Sequence, residues 1–140
     1  MIYIGIDPGV KTGVALWDGK EGALLYVYTL RIDEAIALAD SWHKYYGDIK
    51  VIVEDARQRK WIPREKNLAE FKGRAMGAGS VKRDCQIWED FLLAHGIKYE
   101  MVAPQQGATK WTADTFARIT GYTGRTSNHG RDAAVLVFGR

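Results

Sequence analysis

Two apolar runs that each end on a carboxylate constrain this chain more than anything else in it: Ile2-Tyr3-Ile4-Gly5-Ile6-Asp7 and Ile49-Lys50-Val51-Ile52-Val53-Glu54. Short apolar runs bounded by turn residues read as buried strands. Pro8-Gly9 stops the first run, and a polar, basic stretch from Arg57 to Arg64 follows the second. Between them Gly13–Trp17 and Ala23–Leu30 read as two further strands. Asp18-Gly19 is expected to join those two in a tight hairpin, since both residue types tolerate positive φ. The period then changes to helical: Ile32, Ala35, Ile36, Leu38, Ala39 and Trp42 share one face, with Asp33-Glu34 in the first turn where the helix dipole favours anions. A strand reached through a helical crossover tends to lie parallel to its predecessor. The fourth strand is therefore expected beside the first, with Asp7 and Glu54 at one edge of the sheet.

The remainder continues the alternation. A helical pattern from Glu65 to Ala94 has Pro63 ahead of it and small residues (Gly73, Ala75, Gly77, Ala78, Gly79, Ser80) in its middle. Ile97–Val102 reads as a fifth strand, Thr109–Ile119 as a weak helix, Gly121–Asn128 as a loop and Asp132–Phe138 as a last apolar helix. The expected fold is α/β: one domain over residues 1–140, with a five-stranded mixed sheet flanked by helices. Three antiparallel strands come first and parallel ones follow. No run of about 18 apolar residues occurs, so no transmembrane helix and no membrane partner are expected. The single cysteine, Cys85, forms no internal disulfide, agrees with a reducing cytoplasm, and reads as helix packing.

The net charge of +3 is unevenly spread. Residues 1–53 carry a balance of −2, residues 54–83 one of +5, and residues 84–140 are neutral. Basicity thus begins beside Glu54, where Arg57, Arg59, Lys60, Arg64 and Lys66 cluster around Trp61. Such a patch suits phosphate backbones, with the indole available to stack on a base. Near the end, His129 and Asp132 are three apart and share a face if helical. Alone, Asp132 reads better as a plain helix N-cap or first-turn acid. Carboxylates converging on one sheet edge suit Mg²⁺, which takes hard oxygen ligands.

Taken together, Gly5-Ile6-Asp7-Pro8-Gly9-Val10-Lys11-Thr12-Gly13-Val14-Ala15, the strand-terminal Glu54 and His129-x-x-Asp132 resemble the RuvC-type Holliday junction resolvases in order and spacing. Lys66-Asn67 with Gly73-Arg74-Ala75-Met76-Gly77, and Val102-Ala103-Pro104 with Lys110, look like the family's later helix, strand and basic helix, extend the likeness along nearly the whole chain, and imply a DNA contact for Lys110. The resemblance implies an RNase H-like fold and a Mg²⁺-dependent endonuclease, with Mn²⁺ able to substitute. Asp7, Glu54 and Asp132 would be the catalytic metal-binding acids. His129 falls where many members carry a fourth acid and some a histidine, as a ligand or as the water's base. Branched DNA, four-way junctions above all, would be the substrate, and a homodimer would match its two-fold symmetry. The long helix, through Gly73, Met76, Gly77, Ala78 and Val81, is the expected dimer surface, unless those residues pack on the chain's own sheet. Position 57, where an aromatic wedge is common in the family, is Arg, and Trp61 is the nearest substitute. Two other readings stay open: a YqgF-type pre-resolvase acting on RNA or other nucleic acid, and a branched-DNA-binding module without cleavage.

Overall fold

The computed structural model describes residues 1–59, 68–105 and 110–140, and among these the side chains of 68–75 are left aside. Its strands are β1 (Ile2–Asp7), β2 (Lys11–Asp18), β3 (Ala23–Arg31), β4 (Ile49–Glu54) and β5 (Lys98–Val102). Its α-helices are α1 (Ile32–Tyr46), α2 (Leu68–Ala94), α3 (Ala113–Thr120) and α4 (Asn128–Val137). The five strands form one sheet in the order β3-β2-β1-β4-β5. The first three pair antiparallel, whereas β4 lies parallel to β1 and β5 parallel to β4. The mixed α/β sheet expected from the two carboxylate-ended runs is therefore present.

Strand side chains alternate between faces, and this sorts the core into two layers. Ile4, Ile6, Val14, Leu16, Val51 and Val53 face α1 and α2, packing with Ala35, Ala39, Trp42, Trp88 and Leu92. Ala15, Trp17, Val27 and Ile52 face the other way, against Ala133, Ala134 and Val137 of α4 and Phe116 of α3. Cys85 is fully buried on α2, as expected for a packing cysteine, and its thiol donates to the Glu54 carbonyl over 3.7 Å.

Three local expectations need correcting. The β2–β3 connection is longer than a tight Asp-Gly hairpin. The Asp18 carboxylate accepts from the amides of Lys20 (2.9 Å) and Glu21 (3.1 Å), and the positive φ falls on Gly22 (66°). The last helix begins at Asn128 rather than Asp132, because the Ser127 hydroxyl accepts from the Gly130 amide (3.4 Å) and supplies the cap. Asp132 therefore sits inside the helix, and its reading as a cap falls away. Finally, Met76, Gly77, Ala78 and Gly79 are exposed, and a β-carbon on Gly77 or Gly79 would meet nothing within 4 Å. This stretch of α2 does not pack on the chain's own sheet.

Candidate active site at the carboxyl edge of the sheet

The register of the sheet assembles the site. Ile6 pairs with Val53 across the parallel β1–β4 ladder, so Asp7 and Glu54 stand side by side one position further on. Adjacent strands are about 4.8 Å apart. Parity places both carboxylates on the same face: Tyr3, Gly5 and Asp7 alternate with Ile4 and Ile6, and Ile52 and Glu54 with Val51 and Val53. That face is the one covered by α4, whose first two turns carry His129 and Asp132.

Two glycines allow α4 to come this close. Gly13 pairs with Asp7 and Gly5 with Ala15 in the antiparallel ladder, so both lie on the α4 side. A β-carbon at Gly5 would overlap the carbonyl oxygen of Ala133, and one at Gly13 the carbonyl of His129. The helix backbone rests directly on the sheet, and a side-chain contact results: His129 Nδ1 is 3.3 Å from Asp7 Oδ2. The contact between the hydroxyls of Thr29 and Ser127 pins the start of α4 to β3. Gly5 and Gly13 thus serve helix packing. The period-2 alternation that groups them with Asp7 was the available signal.

Lys110 joins the cluster, with Nζ 2.5 Å from Asp132 Oδ2. Its position depends on Arg131, which is nearly buried. The Arg131 guanidinium donates to the Trp111 carbonyl (3.1 Å), the Thr126 carbonyl (3.1 Å) and hydroxyl (2.9 Å), and Asn128 Oδ1 (2.6 Å). It thereby ties the segment bearing Lys110 to the first turn of α4. No spacing rule in the sequence distinguishes this arginine from a surface one, and it was missed.

The electrostatics describe one coupled group of charges. Burial pushes the Asp7 carboxyl above its ordinary pKa, aided by Asp132 and opposed by His129 and Lys110. Glu54 is likewise raised, first by burial and then by Asp7, with Lys110 and Arg59 opposing. Desolvation works against the Lys110 ammonium, but Asp132, Glu54 and Asp7 outweigh it and raise its pKa. No three His, Cys, Asp or Glu side chains among the described residues form a ready-made metal cage. The donor chemistry nevertheless fits a hard divalent cation. Carboxylate oxygens dominate, Asp7 and Glu54 are destabilised as anions first by burial, Asp7 then by Asp132 and Glu54 by Asp7, and an ammonium already stands against Asp132.

The other sequence-named residues fall in two groups. Arg57 is not presented as a phosphate contact. It forms bonds to Asp55 (2.8 and 3.0 Å), Gln86 (2.7 Å) and Glu89 (3.0 Å), bracing the end of β4 against α2. Arg59 is exposed and its charge reaches Glu54. Lys60, Trp61, Arg64 and Lys66, the core of the expected nucleic-acid patch, lie outside the described residues, as does Pro63. No helix of the described residues is long and apolar enough to cross a membrane. Compared with known proteins, the chain matches no family model and no curated sequence.

Proposed function

We propose that this protein is an RNase H-like, Mg²⁺-dependent endonuclease that cuts branched DNA. The observation that carries the reading is the adjacency of Asp7 and Glu54 on parallel strands, with Asp132 and His129 brought over them by a helix seated on glycines. Asp7, Glu54 and Asp132 would hold the metal. Bound Mg²⁺ supplies Lewis-acid charge at the phosphoryl oxygens and makes water a better nucleophile at neutral pH. The chain's own groups do the rest. The carboxyls of Asp7 and Glu54, both raised first by burial, would be stabilised as anions by a bound cation. His129, half-exposed beside Asp7, is placed to take a proton from solvent. Lys110, now paired with Asp132, would offer its ammonium to a phosphate if Asp132 turned to a metal. Four-way junctions are the proposed substrate, cut by a homodimer whose contact includes the exposed Met76–Gly79 stretch of α2.

The Lys110–Asp132 contact favours a second reading, in which the protein binds branched DNA without cutting it. A panel of four-way junctions, flaps, forks, linear duplexes and RNA–DNA hybrids, incubated with Mg²⁺ or EDTA, separates the two. Metal-dependent incision near a branch supports the nuclease, tight binding without incision supports the binding module, and preferential cutting of RNA-containing strands redirects the substrate assignment. Light scattering at micromolar concentration tests the dimer.

A further inference from the structure

A cavity of about 660 Å³ opens directly beside the acids, on the α4 side of β4 and β5. Its volume is in the range of sites that take a small organic ligand. Glu54, Asp132 and Lys110 are among its lining residues, so anything seated within lies beside the proposed cleavage centre. Its walls are apolar and in part aromatic: Val102, Pro104, Trp111, Val135, Leu136 and Phe138. Asp132, Val135 and Leu136 share one face of α4, being three and four residues apart. Val135 is 49% exposed, an apolar side chain left open to solvent one helical turn from an acid. Trp111 and Phe138 contact each other edge to face (centroids 6.4 Å apart), which fixes the aromatic end of the wall. Arg59 and Arg140 add positive charge along the rim beyond Lys110.

A cavity whose lining combines apolar and aromatic side chains with cations and the acids of the proposed cleavage centre suits a planar ring attached to a phosphate. We infer that this cavity receives an unpaired nucleobase adjoining the phosphate to be cut, resting on the reading of the acids as a nuclease site. Duplex bases cannot enter, because each is stacked and paired, whereas a base at a branch point leaves its stack at little cost. The cavity would thus make selectivity for branched DNA a property of the active-site wall itself, separate from any wedge supplied by another segment. Stacking of a base on such a wall contributes about tenfold to binding.

The test places 2-aminopurine, one position at a time, at the unpaired and paired positions around a DNA branch. Shielding of the probe from acrylamide on binding is measured in EDTA, so that no cleavage is needed. The expected result is strong shielding at one unpaired position beside the branch and none at paired neighbours. Val135→Trp, which fills the cavity, and Val135→Glu, which places an anion in it, should abolish that shielding and weaken binding about tenfold. Because Val135 is half-exposed, both variants are expected to fold, and unchanged circular dichroism verifies it. Shielding that is absent everywhere, or that survives in both folded variants, overturns the inference. Loss of cleavage with the shielding intact would instead remove the nuclease reading and leave the base pocket standing.

Discussion

Gly13→Ala isolates the device that builds the site. The substituted β-carbon would overlap the carbonyl of His129, on a central strand with no room to yield. Ordinary carbon–oxygen contacts are about 3.3–3.6 Å, so α4 must retreat by about 1 Å or more. The retreat loosens Ala133, Ala134 and Val137, all fully buried against the sheet. Overpacking a core costs typically about 1–3 kcal/mol, and a backbone-to-backbone clash belongs at the upper end. For a chain of this size about 3 kcal/mol lowers the melting temperature by about 10 °C. The same displacement moves Asp132 and His129 away from Asp7, and a 1 Å misplacement of reacting groups can cost about 100-fold in rate. Thermal melts by circular dichroism and cleavage rates on one junction read both effects. If Gly13→Ala melted within about 2 °C of the parent and cut at the parental rate, the glycine seat would not be what positions the helix.

Asp7→Asn should stabilise the metal-free protein at neutral pH. The folded carboxyl titrates above its unfolded value, so its ionised form is disfavoured in the native state. The gain should be complete above the folded pKa and vanish as pH falls below about 3.9, as melts in EDTA across that range will read. Arg57→Ala should cost about 2–4 kcal/mol, because Asp55, only 3% exposed, would be left as an uncompensated buried charge. Burial alone would raise Asp55, but hydrogen bonds from Arg57 and Gln58 prevail and hold it below the ordinary range. The stability it contributes is present above about pH 3.9 and is lost as pH falls through the depressed value, a limb that urea titrations should find weakened in the variant. Arg131→Lys should lose about 1–3 kcal/mol from the stranded acceptors at Trp111, Thr126 and Asn128. It should also slow cleavage by releasing the Lys110 segment, which rate measurements at saturating substrate would detect.

Much of this arrangement could be read from residue order. The carboxylate-ended runs, the helix between them and the turn residues specified a mixed sheet with Asp7 and Glu54 adjacent, because strand parity and crossover topology leave few alternatives. The His129–Asp132 pair was legible as a helical spacing, although the helix start was misplaced until Ser127 was seen to cap it. What the sequence did not disclose depends on contacts between distant segments. Arg57 lies next to a basic run and reads as part of it, yet its partners Gln86 and Glu89 come from a helix some thirty residues away. Lys110 was read as a phosphate contact, but the fold delivers it to Asp132 through Arg131. The apolar cavity draws on β4, β5 and α4 together, and no single stretch of sequence announces it.

The central claim is that the acids at this sheet edge form a metal-dependent cleavage site. Its most direct test is incision of a four-way junction by the parent chain and by Asp7→Asn, at protein concentrations giving equal junction occupancy by gel shift. The account predicts Mg²⁺-dependent incision near the branch by the parent, none in EDTA, and at least a 1,000-fold slower rate for the equally bound Asp7→Asn, on the order of the 4 kcal/mol that loss of one essential charge costs. Equal cutting by both proteins, or no cutting by a folded parent that binds the junction, would contradict it.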